Sequence, residues 1–156
     1  MTSFLSFTHN TIIPVKASDD PVRQQIIVAA RQLCGTPFCH QGRHAALGLD
    51  CIGVIALTAE AIGLSVKVPE DYGRLPTSGR LLREMKSAGM IPRNASAARM
   101  GDVVLMRFAQ DPQHLGLLTD RGILHAWQGV DKVVEHNLSP IWQRRVVAVF
   151  SYPGVK

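Results

Sequence analysis

The chain reads as an α+β domain, with N-terminal helices packed on a C-terminal antiparallel sheet of about five strands. Three observations predict it. Up to residue 63 the apolar residues recur with a helical period, and from Gly101 onward they alternate with a period of two. The two kinds of segment are separated along the chain rather than interleaved, which disfavours a parallel α/β sheet. The length, 156 residues, suits one domain with a sizeable core. Residues 1–18 read as an N-terminal extension and residues 19–156 as the single domain.

The first helix is expected in "SDDPVRQQIIVAARQLCG", with Ser18 or Asp19 as its N-cap, Pro21 in the first turn and Gly35 as its stop. Val22, Ile26, Ala29, Ala30 and Leu33 form its apolar stripe, and Cys34 at its end also faces the core. "GTPFCHQGRHAALGLD" is a loop punctuated by Gly and Pro. Asp50 then caps a second helix, "CIGVIALTAEAIG", in which Ile52, Ile55, Ala56, Ala59 and Ile62 keep the period and Gly63 ends it. An extended loop, "VKVPEDYGRLP", leads to a shorter third helix in "SGRLLREMKSAG". The strands are "DVVLMRF", "HLGLLTD", "GILHAWQ", "DKVVEH" and "RRVVAVFSYP", divided by turn residues and spaced as an antiparallel meander.

Composition removes several function classes. The net charge of +5 is spread along the chain, without a basic block interleaved with aromatics, so a nucleic-acid platform is not expected. No apolar run approaches the roughly eighteen residues of a membrane span. The N-terminus lacks a basic region before an apolar block, so synthesis in the cytoplasm without a secretory leader is expected. An odd number of cysteines, Cys34, Cys39 and Cys51, argues against a disulfide framework. Neither a C-x-x-C pair nor a clear helical H-x-x-x-H is present, so no metal is expected, and no cofactor.

Cys51 follows Asp50 at the first turn of a helix, where unpaired N–H groups and the macrodipole favour a thiolate. The plainer alternative is a small buried residue. A nucleophilic thiol also needs a base. His114 and His125 lie on consecutive strands joined by a turn at Asp120, Arg121 and Gly122, which can bring one ring to the thiol and the other behind it as an orienter. Trp127 shares the face of His125, with packing as its expected job. Cys39 is read as a bystander, His136 as exposed, and His9 as part of the N-terminal extension.

"GTPFCHQGRHAALGLDCIGVI" resembles the nucleophile segment of the NlpC family of papain-like cell-wall cysteine peptidases, with its Gly-Thr-Pro-aromatic loop and Asp-Cys-x-Gly helix start. "GDVVLMRF", "HLGLL" and "ILHA" resemble that family's later strands, in the same order. "FCHQGR", "VPEDYGRLP", "ILHAW" and "VVAVFSYPG" are most similar to its phage-tail branch, which gene-transfer-agent particles share. The resemblance implies hydrolysis of a stem-peptide amide bond in peptidoglycan, typically between D-γ-glutamyl and a diamino acid. It implies Cys51 as nucleophile, His114 as base and acid, and His125 as the orienting third residue. Asp50 and Phe38 would face the substrate's amino end, although Phe38 stands where the family commonly has a Tyr and cannot donate that hydroxyl's hydrogen bond. His40 is a third substrate-facing candidate, against the plainer reading that His40 and His44 are loop histidines bonded to backbone. The implied partners are peptidoglycan peptide and phage or transfer-agent tail proteins, and the implied place of action is the cell wall, reached on a tail particle. The alternatives are a structural tail-tip protein that keeps the fold, and an amidase or acyltransferase effector built on it.

Overall fold

The computed structural model describes residues 13–68, 79–108 and 112–156. The N-terminal stretch with His9, and nearly all of "VPEDYGRLP", lie outside the described residues.

Helix α1 spans Pro21–Arg31. Its cap is Asp20, whose side chain accepts from the Val22 N–H at 2.9 Å, so the helix starts later than the Ser18 or Asp19 cap expected. Pro21 decides this: its fixed φ suits the first helical position, and Ser18 is left to accept from the Asp20 N–H instead. The buried face also differs from the expected stripe. Arg23 is buried with Ile26, Ile27 and Ala30, whereas Val22 is exposed.

After α1 the chain forms two short strands, β1 (Arg43–His44) and β2 (Gly48–Leu49), and then helices α2 (Cys51–Ala61) and α3 (Arg80–Ser87). Strands β3 (Ile91–Arg93), β4 (Val103–Arg107), β5 (Pro112–Thr119), β6 (Gly122–Trp127), β7 (Lys132–His136) and β8 (Val146–Ser151) follow, with the short helix α4 (Pro140–Gln143) between the last two. They build a six-stranded sheet in the order β3-β8-β4-β5-β6-β7, and each of its paired strands runs antiparallel.

The sheet corrects the expected meander. β4 to β7 do follow one another, but β8 crosses back through α4 and pairs with β4 rather than β7. β3, three residues that include Pro92, then closes the far edge beside β8. Such a strand has too little alternation to be seen in sequence, and its proline is tolerated because it lies on an edge.

One face of the sheet packs on the helices through Leu115, Leu117, Leu124, Ala126 and Val133 against Ile26, Ile52 and Ile55. The other face carries Val104, Met106, Leu118 and Ile123 and is covered by Ile13, Ala98, Leu138 and Trp142. Among the described residues no helix is long and apolar enough to cross a membrane.

A buried ion pair locks α1 to the sheet. Arg23 donates to the Asp102 carboxylate at 2.8 Å and to the carbonyl of Met100. Ser151 of β8 donates to the same carboxylate oxygen at 2.6 Å, and the Arg99 N–H takes the other. Removing one partner strands a charge in a dry site. Asp102→Ala should therefore lower stability by about 3–5 kcal/mol, as measured by denaturant unfolding.

Candidate functional site

The site begins with the loop that precedes α2. Residues 35–38 are laced to the edge of β7: the Gly35 N–H donates to Val133, the Val133 N–H to Thr36, and the Phe38 N–H to Asp131. On its other side the Leu49 N–H reaches the Pro37 carbonyl and the Cys39 N–H that of Leu49. This stretch therefore spans from the sheet to the start of α2.

Asp50 fastens the loop to the helix. Its Oδ1 accepts from the Gly53 N–H at 2.8 Å and from Arg43 at 2.9 Å, and its Oδ2 accepts from the Gln41 N–H at 2.9 Å. One buried carboxylate thus caps α2 and fixes the 41–43 turn. Gly53 is needed for the same join, because a Cβ there would collide with the Gly42 carbonyl oxygen.

Cys51 is the first residue of α2, as expected, and is half-buried. Its sulfur does not behave as its helix position alone predicts. Burial against the sheet, with the Asp50 charge adding to it, pushes the Cys51 thiol up to about 12. Hydrogen bonds from the backbone of Leu115 and Ile52, and the charge of Arg43, pull it down without prevailing. Desolvation outweighs the helix end here, which corrects the expectation of a lowered pKa. The Leu115 contact sets the sulfur against β5, beside the residue that follows His114.

The β5–β6 turn is tight, with Thr119 paired to Gly122 and Leu117 to Leu124. Arg31 of α1 braces it by donating to Asp120 at 2.6 Å and to Glu135 of β7 at 3.0 Å. His114 Nε2 lies 2.6 Å from His125 Nδ1. Gly116 of β5 makes room for Ile123, whose side chain a Cβ there would meet at 2.5 Å. The expected pairing across the hairpin is therefore present.

A third imidazole continues the series. His125 Nε2 lies 2.8 Å from His136 Nε2, and His136 Nδ1 lies 2.9 Å from the Asn137 carbonyl oxygen. His136, expected to be exposed, is half-buried and engaged on both nitrogens. Its signal was available, because on β7 it keeps the parity that puts it on the face of His125, next to Val134, the partner of His125.

Aromatic rings enclose the three. Trp127 stacks on His125 with 12° between planes, and Trp142 meets it edge-on at 4.9 Å between centroids. Phe108 packs edge-on against His114, and the Arg145 guanidinium covers Phe108 and Trp142. Sequence reasoning missed Phe108, which follows β4 where that strand pairs with His114, and Trp142 and Arg145, which the chain carries back to the site between β7 and β8. Burial, and next the charge of Arg145, lower His114 to about 3. Burial, helped by the neighbouring His114 and His136, lowers His125 to about 2. Both rings are neutral at neutral pH. Among the described residues no three His, Cys, Asp or Glu side chains gather as a metal site, because these imidazoles face one another in series.

The remaining expected residues lie in the loop. Phe38 is half-buried against the core, His40 is half-buried beside it, and His44 accepts from the Ala46 N–H, as a loop histidine would. Cys39 is exposed. So is Cys34, which corrects its expected place in the core: α1 ends at Arg31, and the turn that follows carries Cys34 outward.

Residues 35–151 match the profile of the NlpC/P60 family. No curated protein matches the chain. Among solved structures, an NLP/P60-family protein similar to a lipoprotein, from Staphylococcus aureus subsp. aureus Mu50, aligns with a TM-score of 0.64 at 20% identity, over 93% of this chain and 46% of its own. The NlpC/p60 domain of the peptidoglycan hydrolase SagA gives 0.61 at 18%, over 83% of this chain and 97% of its own. A family protein from Bacillus cereus ATCC 10987 gives 0.64 at 18%, over 93% and 43%. These structures share the mixed fold of helices and antiparallel sheet, and this chain spans less than half the length of the staphylococcal and Bacillus proteins.

Two outcomes follow from the buried site. With iodoacetamide at neutral pH the exposed Cys39 should be alkylated before Cys51 in the free protein, as followed by peptide mass spectrometry. His114 and His125 are held below their ordinary value of 6.5, so their neutral forms stabilise the fold fully above it. That contribution should be lost as pH falls from 6.5 toward about 3, and His125→Asn should flatten this part of a stability–pH curve.

Proposed function

This chain belongs to the NlpC/P60 family of peptidoglycan hydrolases, and from that premise we propose that it is a cysteine endopeptidase that cuts an amide bond of peptidoglycan stem peptides, between D-γ-glutamyl and a diamino acid. The observation that carries the proposal is that the Cys51 sulfur accepts from the backbone of Leu115, the residue that follows His114, while His114 and His125 are bonded in series.

The chemistry follows from which atoms are free. His114 Nε2 is engaged by His125, so Nδ1 is the nitrogen that takes the Cys51 proton as the sulfur attacks the substrate carbonyl. The backbone N–H of Cys51 helps hold the oxyanion. Collapse of the tetrahedral intermediate breaks the C–N bond, and His114 returns the proton to the leaving amine. Water, deprotonated by His114, then cleaves the thioester and frees the γ-carboxylate and the thiol. Asp50, Phe38 and His40 line the approach as substrate-facing residues. The Asp50 oxygens already serve Gly53, Gln41 and Arg43, so a substrate amine would share a carboxylate that the fold has fixed. Its similarity in "FCHQGR" and "ILHAW" to the phage-tail branch supports action at the wall from a tail particle.

The test is digestion of purified muropeptides, read by mass spectrometry as a new free amine. Cys51→Ala and His114→Ala should each lower turnover by about 10³-fold or more in protein that still melts cooperatively. Equal inactivity of wild type and Cys51→Ala would leave only the structural tail-tip role.

A further inference from the structure

We propose that His136 is a positioning residue which, through the Asn137 carbonyl, dictates the tautomer of His125 and thereby leaves the Nδ1 lone pair of His114 free. The inference rests on the peptidase reading of the same site.

The argument is one of donors and acceptors. A carbonyl oxygen can only accept, so His136 Nδ1, 2.9 Å from the Asn137 oxygen, carries the hydrogen. In a neutral ring the other nitrogen is then an acceptor, so His136 Nε2 accepts and His125 Nε2 donates to it across 2.8 Å. His125 Nδ1 is consequently the acceptor, and His114 Nε2 must donate to it across 2.6 Å. His114 is left with Nδ1 bare, the form a general base needs. Each link permits one direction once the last is set, and only the last abuts a group that cannot donate. His125, the middle ring, is clamped between Trp127 and Trp142 and cannot turn to escape the order. Without an acceptor at position 136 it would hold either tautomer. With a donor there the order reverses, His114 Nδ1 carries the hydrogen, and the base is lost.

Substitution at position 136 separates these cases, because side chains that accept, do neither, or only donate predict different outcomes. His136→Gln keeps an acceptor and should retain most of the turnover. His136→Leu should lose about 10–100-fold in kcat, as loss of an outer hydrogen bond behind a functional imidazole typically does, with KM unchanged. His136→Lys should fall further, toward the ~10⁴-fold seen when a catalytic histidine is held in the wrong tautomer. Wild-type turnover in Leu and Lys variants that melt normally would overturn the inference while leaving the peptidase reading intact. A second readout needs no activity. Nitrogen-15 chemical shifts of the wild-type protein should show His114 with a bare Nδ1 and a protonated Nε2, and the opposite pattern would overturn the inference even if the muropeptide digestion failed.

Discussion

The fold depends on a charge pair buried from water. Arg23 and Asp102 side chains are each 1% exposed, and between them they reach α1, the turn before β4, and β8 through Ser151. Two charges removed from solvent are costly unless every polar atom finds a partner. Here the guanidinium also donates to the carbonyls of Met100 and Lys156, and the carboxylate also accepts from Ser151 and the Arg99 N–H. Those partners come from the turn before β4, from β8 and from Lys156, so the pair is satisfied only when α1, that turn and the returning strand are all in place. It thus favours one arrangement of the sheet over others with the same apolar pattern. β4 sets the level of β5, and β5 carries His114 and the backbone that meets Cys51.

What could be read in the sequence was whatever a short stretch determines by itself. Asp50 caps α2 because its side chain reaches an N–H three residues on, and no distant contact is involved. The pairing of His114 with His125 was legible because a tight turn fixes register, and register fixes face. Distant contacts set the rest. Arg23 sits where the apolar stripe called for Val22, and only Asp102, far along the chain, makes that burial tolerable. β8 was visible as a strand, but its place beside β4 was not, because α4 decides the crossing. Cys34 was assigned to the core by a periodicity that continued past the point where the helix ends.

The thiol shows two correct local rules in competition. A helix N-terminus does favour a thiolate, and backbone donors do reach this sulfur. Yet the sheet that brings the imidazoles near also removes the water that would solvate the charge, and the Asp50 cap adds a negative one beside it. Burial dominates, so the resting site holds a neutral thiol and neutral rings. In the proposed reaction, attack is then coupled to proton transfer, with the charge created only as the carbonyl is engaged. The half-buried sulfur is also less open to passing electrophiles than Cys39, which lies exposed in the loop.

A neutral terminus for the imidazole series is consistent with that economy of charge. A carboxylate behind His125 would fix the same tautomer, but it would bring a full negative charge into a cluster walled by Trp127 and Trp142. A backbone carbonyl supplies direction without net charge. It cannot be protonated in the working range of the protein, and its position is set by the chain itself. The weakness of the device is its length: each added ring is another place where the order can reverse. The tryptophans counter this by holding the middle ring still, so that one backbone oxygen at the edge of β7 can govern a lone pair on β5.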